Sequence, residues 1–201
     1  MYSIQVMPLI NPLSYGHYKS LVETLVLENK TTGREQTPER IAFTRLNLQR
    51  MKRVEKQFAF LPELEALLKE QKPHWRWLLL TEAWCGDGAQ TIPAIAAIAQ
   101  AIPSIELLLV QRDENEALMD TCLTNGSKSI PMLICEDHKT GERLFTWGPR
   151  PTSIQERLIA FKAVNPGVRH EDLMQQLHAW YAKDRSISLQ QDLLRLVKEE
   201  L

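Results

Sequence analysis

The chain has 201 residues, 44% of them hydrophobic and 24% charged, with a formal net charge of −1. That balance describes a soluble globular protein with a sizeable core, and it offers no global charge to attract nucleic acid or an anionic membrane. No run of about 18 apolar residues occurs, so no spanning helix is expected, and three cysteines are too few, and odd in number, for a disulfide framework. The opening MYSIQVMPLINPL lacks a basic start and a small-residue cleavage site, which predicts no secretory signal and, with reduced thiols, a cytoplasmic protein.

The first 70 residues read as helical. Tyr15, Tyr18, Leu21, Val22 and Leu25 form one apolar stripe, and Thr37-Pro38 caps and opens a second helix whose stripe is Ile41, Leu48, Met51, Val54 and Phe58. The basic run on that helix, Arg45, Arg50, Lys52, Arg53 and Lys56, reads as a phosphate or partner patch or as a solvated face, and with this net charge the solvated face is favoured. A short third helix runs from Pro62 to Glu70.

At Trp75 the pattern changes. WRWLLLTEA is a continuous apolar run, as in a strand buried on both faces. After a Cys-Gly-Asp-Gly turn, AQTIPAIAAIAQAI predicts a buried helix from about Gly88 to Ala101, kinked at Pro93. SIELLLVQ is a second buried strand, and Asp113-Glu114-Asn115-Glu116 has the spacing of a capping box for a helix that Asn125-Gly126 closes. IPMLICE and ERLFTW, joined by DHKTG, must pair as an antiparallel hairpin. Helices follow from Pro151-Thr152, carrying Leu158 and Ile159; then, after Asn165-Pro166-Gly167, one with Leu173, Leu177, Trp180 and Tyr181; then one capped by Ser188.

The segment from about Trp75 to Lys162 resembles the thioredoxin-like family. Four features carry the likeness in order: Trp84-Cys85-Gly86 at a strand-to-helix junction, Pro93 in the following helix, Ser129-Ile130-Pro131 at the start of the third strand, and Gly148 after the last. The whole chain is similar to a bacterial thioredoxin-like group with helical extensions on both sides, through TEAWCGDGAQ, RDEN, LTNGSKSIP and WGPRP. The resemblance implies an α/β thioredoxin-like fold: a mixed central sheet flanked by helices, with an N-terminal helical extension (1–70), a core (71–163) and a C-terminal helical extension (164–201) forming one compact unit. It also implies a role in cell redox homeostasis.

Two departures from a working thioredoxin matter. Gly88 occupies the place of the second motif cysteine, and the family's buried acid falls at Leu79, with Glu82 the nearest carboxyl. The resemblance implies Cys85 as the catalytic sulfur, with Trp84, Gly86, Asp87, Gly88, Ile130, Pro131 and Gly148 around the substrate, and a cis bond before Pro131. At a helix N-terminus Cys85 gains from unpaired N–H groups and the helix dipole, whereas Asp87 opposes the thiolate if it turns inward. Without a resolving thiol, Cys85 can begin disulfide exchange but needs an external thiol, from a protein or a small molecule, to complete it.

Cys122 and Cys135 read either as packed side chains or as distant resolving thiols, and packing is favoured. Asp113 reads as a helix N-cap. His17, His74, His138, His170 and His178 are scattered, so neither a metal nor any other cofactor is expected. Two readings remain: a monothiol oxidoreductase acting through Cys85, and a redox-silent binding protein of the same fold with a groove near Trp84, Trp147 and Arg150. Nucleic acid and membrane are not expected partners, and the oligomeric state is open.

Overall fold

The computed structural model describes residues 8–201; residues 1–7, on which the reading of the N-terminus partly rests, lie outside them. Three helices come first: α1 (Tyr15–Leu27), α2 (Pro38–Gln57) and α3 (Pro62–Gln71). The central part runs β1 (Trp75–Thr81), α4 (Gly86–Ala101), β2 (Ile105–Gln111), α5 (Glu116–Met119), β3 (Met132–Asp137) and β4 (Arg143–Trp147). Three more helices, α6 (Thr152–Val164), α7 (His170–Asp184) and α8 (Ile187–Glu200), complete the chain. Among the described residues no helix is long and apolar enough to cross a membrane.

The sheet order is β2-β1-β3-β4, with β1 and β2 parallel and the β1–β3 and β3–β4 pairs antiparallel. This is the mixed sheet of the thioredoxin-like α/β fold. Strand alternation divides β1 between two cores. Trp75, Trp77 and Leu79 point into the larger one with Leu109, Leu133 and Cys135, under α1, α2, α4 and α8. Leu78 and Leu80 point the other way, packing with Val110, Met132, Ile134 and residues of α5. A third cluster ties α6 to α7 through Ile154, Leu158, Leu173, Leu177, Trp180 and Tyr181.

Several local expectations shift. The first 70 residues are not wholly helical: Leu13 adds a bridge to the β2 edge, exchanging two backbone bonds of 2.8 Å with Leu109. Helix α4 begins at Gly86 with Cys85 as its N-cap and runs unbroken through Pro93. The RDEN helix is a single turn, Glu116–Met119. Asn115 caps α5 without a side-chain bond to it, and its side chain instead binds the Ile10 backbone, at 2.8 Å to N and 3.1 Å to O. Asn125 and Gly126, both at positive φ, form a tight turn bridged by Thr124 and Ser127 instead of closing a helix. Ser186, not Ser188, is the N-cap of α8; Ser188 lies buried inside the first turn and donates its hydroxyl to Asp184. Leu158 and Ile159 both lie on α6, the first buried and the second 59% exposed.

Candidate functional site

The site forms where β1 ends and α4 begins. After Thr81 the chain turns so that the Cys85 N–H donates to the Glu82 carbonyl at 3.0 Å, which places the thiol at the N-cap. The Gly88 N–H donates to Cys85 Sγ at 3.3 Å, as a helix N-terminus does to an anionic or polar cap. From the other side the thiol donates to the Ile130 carbonyl at 3.3 Å. The Ile130–Pro131 peptide is cis. Gly148, at φ +138°, lies against this segment, and a Cβ there would meet the Pro131 carbonyl oxygen. Cys85, Gly88, Ile130, Pro131 and Gly148 are therefore one contiguous unit.

The thiol is only 7% exposed. Burial, and then the nearby Asp87 carboxylate, pushes its pKa up to about 12, against the pull of the Gly88 and Asp87 N–H groups and of Arg150. The helix terminus does not prevail, because burial and then the inward-turned Asp87 outweigh it. Asp87 is 9% exposed and is clamped by Arg150, with Nε to Oδ1 at 2.9 Å and Nη2 to Oδ2 at 2.7 Å, and by the Tyr181 hydroxyl at 2.8 Å. Burial works against the Arg150 charge and Asp87 more than offsets it, so that guanidinium is held above its ordinary value. Burial and then Asp87 push the Tyr181 hydroxyl well up.

The space beside Gly88 is filled. A Cβ there would lie 2.8 Å from Thr81 Oγ1 and 3.2 Å from Ile92 Cδ1, so this glycine closes the packing under the sulfur and does not open room for a bulky group. Above the sulfur's helix turn, a Cβ at Gly86 would meet the His178 ring at 2.9 Å and Arg50 Nη1 at 3.4 Å. Arg50 donates to Asn47 Oδ1 at 2.8 Å, while Asn47 Nδ2 donates to the Ala83 carbonyl at 2.9 Å. Arg53 Nη2 donates to Gln90 Oε1 at 2.5 Å, leaving the Gln90 amide nitrogen to donate to His178 Nδ1 at 3.0 Å.

Trp84 does not offer a free aromatic face. Arg40 lies 4.5 Å and Arg112 5.1 Å from its ring centroid, contacts worth about 0.5–1 kcal/mol each near a surface. Trp147 is buried and donates to Asp192 at 3.0 Å, so it anchors α8. Of the groove suggested by Trp84, Trp147 and Arg150, Trp84 packs against the cluster that holds Cys85 and Arg150 pairs with Asp87, while Trp147 is committed to α8. Glu82 is 1% exposed and accepts from the Asp113 N–H at 2.9 Å. Burial raises its pKa despite bonds from Thr32 and Asp113. Asp113 thus closes the loop after β2 and pairs with Arg112 at 2.8 Å; it caps no helix. Cys122 and Cys135 are buried free thiols, with burial the first cause raising both.

The sequence reading missed Asn47, Arg50, Arg53, Gln90, His178 and Tyr181. The basic run on α2 was visible but misassigned: Arg45, Lys52 and Lys56 are exposed, whereas Arg50 and Arg53 are half-buried against α4 and α7. The available signal was their spacing, since three residues apart places them on one helix face. Nothing in the sequence linked that face to α7, 125 residues on. Among the described residues no group of three or more His, Cys, Asp or Glu side chains could hold a metal ion.

A family model described as Thioredoxin matches residues 34–164, more than half of the chain. No curated protein gives a significant match. Two solved structures are similar in fold. A protein of unknown function from Pseudomonas aeruginosa is 17% identical with a TM-score of 0.59, over 80% of this chain and 91% of that one. An HIV epitope scaffold is 16% identical with a TM-score of 0.58, over 94% of this chain and 100% of that one. The chain belongs to the thioredoxin-like family.

Proposed function

We propose that the protein is a monothiol thiol–disulfide exchange protein that acts through Cys85, with an external thiol as resolver. The observation that carries this reading is the two-sided setting of one sulfur. The Gly88 N–H donates to it at the N-terminus of α4, and the Ile130 backbone faces it at 3.3 Å. The first side favours the thiolate, and the second offers extended backbone next to an incoming disulfide.

The exchange balances as follows. Cys85 gives up its proton, and the thiolate attacks one sulfur of a disulfide R–S–S–R′. The Cys85–S–S–R bond forms, the R′–S bond to that sulfur breaks, and R′S⁻ leaves and takes up a proton. An external thiolate then attacks the R sulfur and returns Cys85 as the thiol, so no further oxidant or reductant is needed. The high pKa keeps the thiolate fraction small, which slows the attack at neutral pH. The test is incubation of the native protein with a small disulfide, followed by peptide mass spectrometry. An adduct on Cys85 and none on Cys122 or Cys135 supports the reading, while no adduct on Cys85 from folded protein at any pH opposes it.

A second reading, a redox-silent binding protein of this fold, is favoured by the burial of Cys85 and the inward Asp87 carboxylate. It requires that Cys85→Ser leave partner binding unchanged.

A further inference from the structure

We propose that the basic cluster over Gly86 is an oxyanion subsite, so that the small thiol exchanged at Cys85 carries a carboxylate or a phosphate. The sulfur chemistry rests on the monothiol reading; the anion binding does not.

Charge comes first. Arg50, Arg53 and Arg150 surround His178, and burial followed by these three guanidiniums pulls its pKa down to about 3, so the ring is neutral. Asp87 is the carboxylate these charges share, and Arg150 holds it in two arms. Three cations against one anion leave a net +2 around His178. Among the described residues no carboxylate lies within ion-pair distance of Arg50 or Arg53. Burial and then Arg53 lower the Arg50 pKa to about 10, and burial lowers that of Arg53. Two half-desolvated, mutually repelling guanidiniums are costly unless an anion joins them, and their planar forks suit carboxylate and phosphate oxygens.

The donors are also aimed. Gln90 spends its oxygen on Arg53, so its NH2 group donates to His178 Nδ1 and the neutral ring carries its proton on Nε2. That N–H has no partner among the described residues, and Nε2 would lie 3.1 Å from a Cβ at Gly86. Arg53 Nε is buried without a partner as well. The absence of a side chain at Gly86 lets the His178 ring and Arg50 Nη1 close over the first turn of α4, next in sequence to Cys85. Gly86 follows Cys85 directly, so an oxyanion held there would sit one residue along the chain from the sulfur's own position. The helical extensions, α2 and α7, supply the selective groups, while the α/β core supplies the sulfur.

Two measurements test this. In the first, inorganic phosphate and malonate are titrated in separate arms onto Cys85→Ser, with the His178 imidazole followed by NMR. At least one anion is expected to shift His178 and to bind about tenfold more weakly to Cys85→Ser/Arg50→Gln, and the tighter arm identifies the group. If neither anion perturbs His178, or if Arg50→Gln changes nothing, the subsite is overturned.

In the second, native protein is exposed to glutathione disulfide, hydroxyethyl disulfide and cystamine, each rate being divided by that of a free cysteine peptide. Capture at Cys85 is expected to favour the anionic over the uncharged disulfide by about tenfold and to disfavour the cationic one. That preference should collapse in Arg50→Gln and persist in Lys183→Gln, an exposed cation outside the cluster. Equal normalised rates for all three would overturn the inference while leaving the monothiol reading intact. No capture of any disulfide would defeat the monothiol reading, and the anion titration would still decide the subsite.

Discussion

Asp87 and Arg150, 63 residues apart in the chain, meet in a two-armed ion pair of 2.9 and 2.7 Å beside the Cys85 sulfur. The pair links the first turn of α4 to the segment after β4, and Tyr181 of α7 joins it through its hydroxyl. One carboxylate therefore ties the C-terminal extension to the core and also helps hold the Cys85 thiol in its protonated form.

Removing either partner should separate these roles. Asp87→Asn deletes the negative charge beside the sulfur, so alkylation of Cys85 near pH 8 should accelerate by about tenfold. Arg150→Ala leaves a buried carboxylate uncompensated, which should cost about 3 kcal/mol in urea unfolding and slow the alkylation. If both variants changed reactivity in the same direction, the electrostatic account of Cys85 would be wrong.

His178 makes the fold sensitive to acid. In the folded chain its pKa is pulled down from 6.5 to about 3, whereas an unfolded chain protonates it near the ordinary value. Protonation thus favours the unfolded state, and stability contributed by the neutral ring falls as pH drops from 6.5 toward 3, with no effect above that window. Urea midpoints at about pH 7.5 and about pH 5 should differ less in His178→Gln than in the parent chain. An equal difference would show that other groups carry the acid response.

Restoring a second thiol should not be a simple matter of Gly88→Cys. The new Cβ would press against Thr81 Oγ1 at 2.8 Å and Ile92 Cδ1 at 3.2 Å. A helical glycine usually gains about 0.5–1 kcal/mol on substitution, but this overpacking should reverse the sign and cost about 1–3 kcal/mol. Thr81→Ala should recover much of the loss in the double variant, measured by denaturant midpoint. Additive losses in the double variant would mean that Thr81 is not the obstacle.

Gly148→Ala tests the wall opposite the sulfur. The residue has φ +138°, and its Cβ would run into the backbone oxygen of Pro131, an atom that cannot swing away. A loss of about 4 kcal/mol or more is expected, visible as a large drop in the thermal midpoint. A near-neutral effect would show that the segment around Pro131 yields readily.

The parts of the fold legible in the sequence were those carried by local pattern. The apolar runs from Trp75 and Ser104 became strands β1 and β2, and the short DHKTG connection required the hairpin of β3 and β4. Thr37 and Pro38 marked the start of α2 through cap chemistry alone. The misreadings arose where a side chain chose a distant partner over a local one. Asn115 holds the N-cap of α5 but gives its side chain to the Ile10 backbone, and α5 is a single turn. Arg50 and Arg53 left the solvated face for α4 and α7, and Asp87 turned inward because Arg150 and Tyr181 were there to receive it. Cys85 was legible at the strand-to-helix junction because its neighbours in sequence define that turn. Its proton is governed by burial and by Asp87 two residues on, but Arg150 and Tyr181, the groups that receive Asp87 beside it, lie 63 and 94 positions from Asp87, and no local pattern reveals them.

The most direct measurement is the rate of Cys85 alkylation in folded protein as a function of pH, resolved by peptide mass spectrometry from Cys122 and Cys135. A thiol held protonated by burial and Asp87, yet accessible for exchange, should label slowly at neutral pH. Its rate should climb by about tenfold per pH unit, with no plateau through about pH 10. A plateau near or below the value of a free cysteine, about 8.5, would contradict the restraint on the thiol. Complete protection of Cys85 across that range, with the fold intact, would contradict exchange through Cys85 and leave the binding role in its place.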